Sequence, residues 1–190
     1  MEFDPNRLEE ALQALGLLLE SRKQQAEIAV IGGGSLLLLG LIQRPTKDLD
    51  VVALVEGVRL RTAKPLPDHL VEAVRDVARA MGLAEDWLNP GPTELLDRGL
   101  PAGFMKRVTT RSFGALVVHV AHQSDQIFFK LYAAVDQGPR SKHFADLKQL
   151  APSSAELRAA ARWCVSHDPS EGFAEMLEQA LAALGVDDDG

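Results

Sequence analysis

The chain has 190 residues, 46% of them hydrophobic and 25% charged, with a formal net charge of −7. That balance fits a globular chain with one sizeable core, or a core with a helical appendage, and its acidity excludes polyanion binding by bulk charge, leaving only a local basic patch for that task. The single cysteine, Cys164, excludes an intramolecular disulfide and suits a reducing cytoplasm.

Glu2, Asp4 and Glu9 stand where a secretory signal would be basic and then apolar, so no signal is expected. The longest uncharged run, 29–43, is short and broken by glycines, so it reads as core and not as membrane. Asp4-Pro5 supplies a helix start, and Leu8, Leu12, Leu15 and Leu19 recur at helical spacing, predicting a helix to about Gln24. Glu27 to Ile31 reads as the first strand. A glycine turn then precedes a short buried helix from Ser35 to Leu41, ended by Pro45, and Leu49 to Val55 reads as the second strand. Arg59 to Pro67, basic and proline-bearing, is expected to be a loop. Leu70, Val74, Val77, Ala78 and Met81 mark an amphipathic helix over 68–81. Asn89-Pro90-Gly91-Pro92 punctuates the chain before a short helix over 93–97.

Strands are expected over 106–113 and 115–121, turning at Phe113-Gly114, and helices over 124–136, 140–150, 153–167 and 170–184. Asp187-Asp188-Asp189-Gly190 reads as a frayed tail. Strands alternating with helices, followed by helices alone, predict an α/β (α+β) fold: a mixed β-sheet flanked by helices, with an α-helical C-terminal bundle. The expected division is a core over 1–122 and a helical region over 123–190, packed on it as one compact unit.

The most informative stretch is Ile31-Gly32-Gly33-Gly34-Ser35 followed by Arg44-Pro45-Thr46-Lys47-Asp48-Leu49-Asp50. In an extended chain Asp48 and Asp50 share one face, their Cα atoms roughly 6.6 Å apart. Two such carboxylates suit Mg²⁺ (or Mn²⁺), which is held by one or two carboxylates together with substrate phosphates. Backbone N–H groups at Gly33 and Gly34, with the Ser35 hydroxyl, are the donors a phosphate needs. Leu37 stands where a dinucleotide fingerprint or a nucleophile elbow requires glycine, and no Gly-Lys-Ser/Thr occurs, which excludes those motifs and the P-loop. The bland reading has the glycines only permitting a tight turn and the aspartates only solubilising a strand start. Against it, Asp is disfavoured in strands, and two on one face repel.

The pattern strand, Gly-Gly-Ser, short helix, Asp-hydrophobic-Asp resembles the polymerase-beta-like nucleotidyltransferase superfamily. Arg44 and Thr46 ahead of Asp48 resemble its AbiEii-like (type IV toxin) branch, as does Lys130-Leu131-Tyr132-Ala133 followed by Arg140, Lys142 and Asp146-Leu147. His143 departs from that branch, which has an aspartate there. The resemblance implies a cytoplasmic nucleotidyltransferase that moves a nucleoside monophosphate from an NTP to an acceptor such as an RNA or tRNA end, as the toxin of a toxin–antitoxin system with a cognate antitoxin protein. It further implies that Asp48 and Asp50 bind the metal, that Gly33, Gly34, Ser35, Arg44 and Thr46 hold the nucleotide, and that Lys130 and Asp146 join the catalytic set. Without it, Lys130 reads as a snorkelling lysine on an amphipathic helix, and Asp146 as a partner of Lys142 one turn earlier. A third carboxylate, common in the superfamily on a later strand, is replaced by His119 on the strand expected to carry it, where a hydrogen-bonded structural histidine is the simpler reading. Arg59, Arg61, Lys64, Lys106, Arg107 and Arg111 are available for a basic rim, with Arg140 and Lys142. Two rival functions stand: a small-molecule nucleotidyltransferase, and a non-catalytic nucleotide-binding regulatory module.

Overall fold

Asp4 accepts a hydrogen bond from the Arg7 amide at 2.9 Å, with Pro5 at the first helical position, and the chain enters α1 (Pro5–Ser21) there. The helix stops three residues short of Gln24 because Lys23 turns left-handed (φ 55°) and the Gln24 amide returns to the Leu19 carbonyl at 2.9 Å. The computed structural model describes residues 2–186, so the tail read as frayed lies outside the described residues. The chain divides into two compact units, Met1–His122 and Gln123–Gly190.

In the first unit α1 is followed by β1 (Ala26–Ile31), α2 (Gly32–Leu38), β2 (Leu49–Glu56), β3 (Arg59–Arg61), α3 (Asp68–Met81), β4 (Leu88–Asn89), α4 (Glu94–Arg98), α5 (Phe104–Arg107), β5 (Thr109–Phe113) and β6 (Leu116–Val120). The strands form one mixed sheet in the order β3-β2-β1-β6-β5, with β4 pairing with β2 off that path. β1 runs parallel to β6, and β4 parallel to β2, while the remaining pairs are antiparallel. α1 buries its Leu8, Leu12, Leu15 and Leu19 stripe and packs with α3, β5 and β6. α3 matches its predicted span, since the apolar stripe starts after Pro67 and ends at Gly82 in the left-handed region (φ 64°).

The structure departs from the sequence reading at several further points. α2 begins at Gly32, so the glycines form its first turn and do not precede it. Part of the expected 59–67 loop pairs back on β2 as β3. Residues 106–107 close the short helix α5, and the strand starts only at Thr109. The Asn-Pro-Gly-Pro stretch holds the end of β4, a two-residue strand that no periodicity announces.

Trp87 explains β4. Its indole N–H donates to the Val74 carbonyl of α3 at 3.1 Å with the ring wholly buried, and the Leu49 amide donates to the Trp87 carbonyl at 2.7 Å. An anchored Trp87 therefore delivers Leu88 and Asn89 alongside Leu49 and Asp50.

The second unit is helical: α6 (Gln123–Gln137), α7 (Lys142–Leu150), α8 (Ser154–His167) and α9 (Glu171–Ala183). Ser141, Ser153 and Ser170 cap α7, α8 and α9, and Ser153 forms a reciprocal capping box with Glu156. The backbone and hydroxyl hydrogen bonds from Ser153 hold the Glu156 carboxyl below its usual range. Tyr132 of α6 meets Trp163 of α8 and Phe173 of α9 at ring centroid distances of 6.1 and 5.4 Å, which fastens the helices to one another.

Cys164 lies in this core, and burial pushes its thiol up to about 12. Since the thiolate is the reactive form, the native protein should fail to react with a thiol reagent such as DTNB at pH 8 and react fully once denatured. Rapid labelling of the native chain would show that α8 opens.

Candidate functional site

Asp50 is the second residue of β2, and Asp48 directly precedes the strand. Leu49 between them is wholly buried, so extended geometry turns the flanking carboxylates to the other side. β2 registers Asp50 against Ile31 of β1 on one side and Asn89 of β4 on the other. The Asn89 amide donates to Asp50 Oδ1 at 3.3 Å.

The start of α2 lies directly against this segment. Gly32 has φ 79°, and a methyl group on it would lie 2.3 Å from Asp50 Oδ2. On Gly33 it would lie 3.0 Å from Thr46 Oγ1 and 3.3 Å from a terminal nitrogen of Arg44; on Gly34, 2.9 Å from the Asp48 carbonyl oxygen and 2.8 Å from Leu49 Cδ1. The glycines are present because the carboxylate-bearing segment needs the space a side chain would take. Thr46 donates to the Asp48 carbonyl at 3.3 Å and is tied to Phe3 by paired backbone hydrogen bonds of 2.6 and 3.1 Å. Gly33, Gly34, Arg44, Thr46, Asp48 and Asp50 are thus one constellation.

Ser35 is placed differently. Its side chain is wholly buried, and its hydroxyl donates to the Val30 carbonyl at 3.1 Å, which ties α2 back to β1.

Lys130 and Asp146 lie in the second unit, on α6 and α7. They face each other at 2.6 Å between Nζ and Oδ2, with side chains 2% and 1% exposed. The snorkelling reading of Lys130 is therefore corrected, because the lysine is enclosed, and Asp146 takes it as partner in place of Lys142.

His119 is also settled by its surroundings. Its Nε2 lies 2.6 Å from Glu27 Oε1 and its Nδ1 2.9 Å from Thr110 Oγ1, an arrangement the Nε2–H tautomer satisfies by donating to the carboxylate and accepting from the hydroxyl. β6 is separated from β2 by β1, so His119 is no neighbour of the aspartates. The residue beside Asp50 is Asn89, which sequence reasoning missed because Asn-Pro-Gly-Pro reads as a turn. Among the basic-rim residues, Arg61 pairs with Glu56 at 2.6 Å and Arg111 with Glu9 at 2.7 Å. The Arg111 guanidinium holds the Glu9 carboxyl below its usual range.

A family model described as "Nucleotidyltransferase of unknown function (DUF6036)" matches residues 6–140, which takes in the glycines, both aspartates, Asn89 and Lys130. No curated protein and no solved structure matches the chain.

Two outcomes follow from this geometry. Gly34→Ala should misplace the Asp48 backbone and cost about 1–3 kcal/mol in denaturant unfolding, the usual scale for overpacking. Lys130→Met should cost about 3–5 kcal/mol by taking the ammonium away from a buried carboxylate, whereas Lys130→Met with Asp146→Leu should recover most of that loss. A Lys130→Met protein as stable as wild type would show that the pair is not enclosed.

Proposed function

The chain belongs to this family of nucleotidyltransferases, and from that premise we propose that it transfers a nucleoside monophosphate from an NTP to an acceptor hydroxyl, with Asp48 and Asp50 as the metal-holding pair. The observation that carries the reading is the Asp50 carboxylate, set between Gly32 and Asn89 with no room for a side chain on the glycine. Among the described residues no group of three or more His, Cys, Asp or Glu is placed to hold a metal by itself. Two carboxylates suit Mg²⁺ or Mn²⁺ that also takes phosphate oxygens. When bound, the ion would supply charge neutralisation and polarisation of the α-phosphorus.

The chain's own residues do the positioning. A helix start presents backbone N–H groups to phosphate, and α2 opens on the three glycines, so the Gly33 and Gly34 amides are the donors we assign to the triphosphate. α2 spans only seven residues, so individual N–H groups matter here more than a summed dipole. Arg44, beside Gly33, would compensate phosphate charge, and Thr46 fixes the backbone of Asp48. We assign Ser35 to building the turn. The Lys130–Asp146 ion pair links α6 to α7, and because an ammonium has three N–H donors and a carboxylate several acceptor sites, we keep both residues in the proposed catalytic set.

For the acceptor we propose an RNA or tRNA end, following the resemblance to the AbiEii-like branch, with a cognate antitoxin protein as the restraining partner. Each labelled NTP, incubated with Mg²⁺ and a total RNA pool, tests this. Label on RNA supports it, label on small molecules alone supports the rival small-molecule transferase, and no label anywhere supports a regulatory nucleotide-binding module.

A ligand that binds only the folded state stabilises it by mass action, by about 2.7 kcal/mol at a hundredfold excess over Kd. An NTP with Mg²⁺ should therefore raise the melting temperature of wild type, and the metal-dependent part of the rise should vanish in Asp48→Asn/Asp50→Asn. A rise unaffected by the double substitution would remove these carboxylates from the site.

A further inference from the structure

Asn89 has both ends of its side chain committed. Its Oδ1 accepts from the Gly91 amide at 2.9 Å, and its Nδ2 donates to Asp50 Oδ1 at 3.3 Å. Only one orientation of the amide serves both partners, because an oxygen turned towards Asp50 would meet another acceptor and leave the Gly91 N–H facing a donor. The turn that follows is built close around it: a methyl group on Gly91 would lie 3.1 Å from Asn89 Oδ1. The preceding backbone is held as well, through the buried Trp87 and the parallel pairing of Leu88 and Asn89 with Leu49 and Asp50.

We propose that Asn89 is the positioning residue of the metal site, and that its neutral amide keeps the site at two carboxylates, so that it takes a single divalent cation. The position is decisive because cross-strand neighbours stand directly opposite one another. A carboxylate at 89 would face Asp50 across the strand pair and add a third acidic ligand to Asp48 and Asp50. An amide there adds no charge to attract a second cation and spends its N–H groups on orienting the carboxylate. With Oδ1 held by Asn89 and Oδ2 against Gly32, the Asp50 carboxylate is oriented from both sides. Partners of metal ligands that act this way are commonly worth roughly 10- to 100-fold in metal affinity or activity.

The inference rests on the metal site proposed above, and its test reads the metal directly. The full-length chain is titrated with Mn²⁺ alone, free Mn²⁺ being followed by its EPR signal. Wild type should bind one Mn²⁺ per chain, and Asp50→Asn should lose it. Asn89→Ala should bind roughly 10- to 100-fold more weakly with an unchanged circular dichroism spectrum. Asn89→Asp keeps an acceptor for the Gly91 amide, so the turn is retained while a third carboxylate appears. That variant should take a second Mn²⁺, and its melting temperature should fall without the metal and recover with it. If wild type binds no more Mn²⁺ than Asp48→Asn/Asp50→Asn, the metal site itself fails and the inference falls with it. If wild type binds and Asn89→Ala binds equally well, the site stands and the positioning role is overturned. Two ions on wild type would overturn the single-cation assignment, and a single ion on Asn89→Asp would overturn the claim that the neutral amide sets it.

Discussion

The first unit is organised by a close approach: of the three consecutive glycines at the start of α2, Gly32 and Gly34 lie so near the segment of Asp48 to Asp50 that a methyl group on either would come within 3.0 Å of it. Like charges one residue apart repel, and aspartate is a poor strand residue. Such a pair persists at the head of a buried strand because the surroundings fix it from several directions. Gly32 packs against one oxygen of Asp50, Asn89 holds the other, and Thr46 grips the carbonyl of Asp48. Three glycines in a helix are unfavourable by propensity, each by about 1 kcal/mol relative to alanine. The helix forms despite this because the approach leaves no room for a better helix former.

Two aromatic residues far apart in sequence extend that control. Phe3 pairs its backbone with Thr46, and Trp87 pairs its carbonyl with Leu49. Their rings meet at a centroid distance of 5.8 Å, with both side chains almost wholly buried. The carboxylate segment is therefore bracketed by the residues ahead of α1 and by the end of the loop after α3, joined to each other through apolar contact. Disturbing either ring would reach the aspartates without touching them.

What could be read in advance followed the range of the forces involved. The α3 boundaries were legible because the periodic apolar stripe and the flanking Pro67 and Gly82 are local signals. The aspartate pair and the glycines were legible as a pattern, although the helix start was misplaced because glycine's low propensity argues against helix, and only tertiary crowding reverses that. β4 escaped because two residues show no period, and Asn89 with it, since its meaning depends on a strand some forty positions earlier. The snorkelling reading of Lys130 failed for the same reason. A lysine on an amphipathic helix ordinarily reaches for water, and its true partner, Asp146, lies on the next helix, beyond any spacing rule within one helix.

The sheet ends in strands that carry arginine. β3, three residues long, places Arg59 and Arg61 at one edge, with Arg61 matched to Glu56; β5 places Arg111 at the other, matched to Glu9 and lying over the Phe113 ring. An unguarded edge presents a row of unpaired amides and carbonyls to any passing strand, and short strands and charged side chains are how proteins blunt it. The arginines at 59, 61 and 111 therefore stand where the sheet would otherwise be open to another strand. A second chain seeking to extend the sheet would have to bury those guanidinium groups or displace carboxylates that already match them. The same few arginines stand where strand-by-strand association would have to begin.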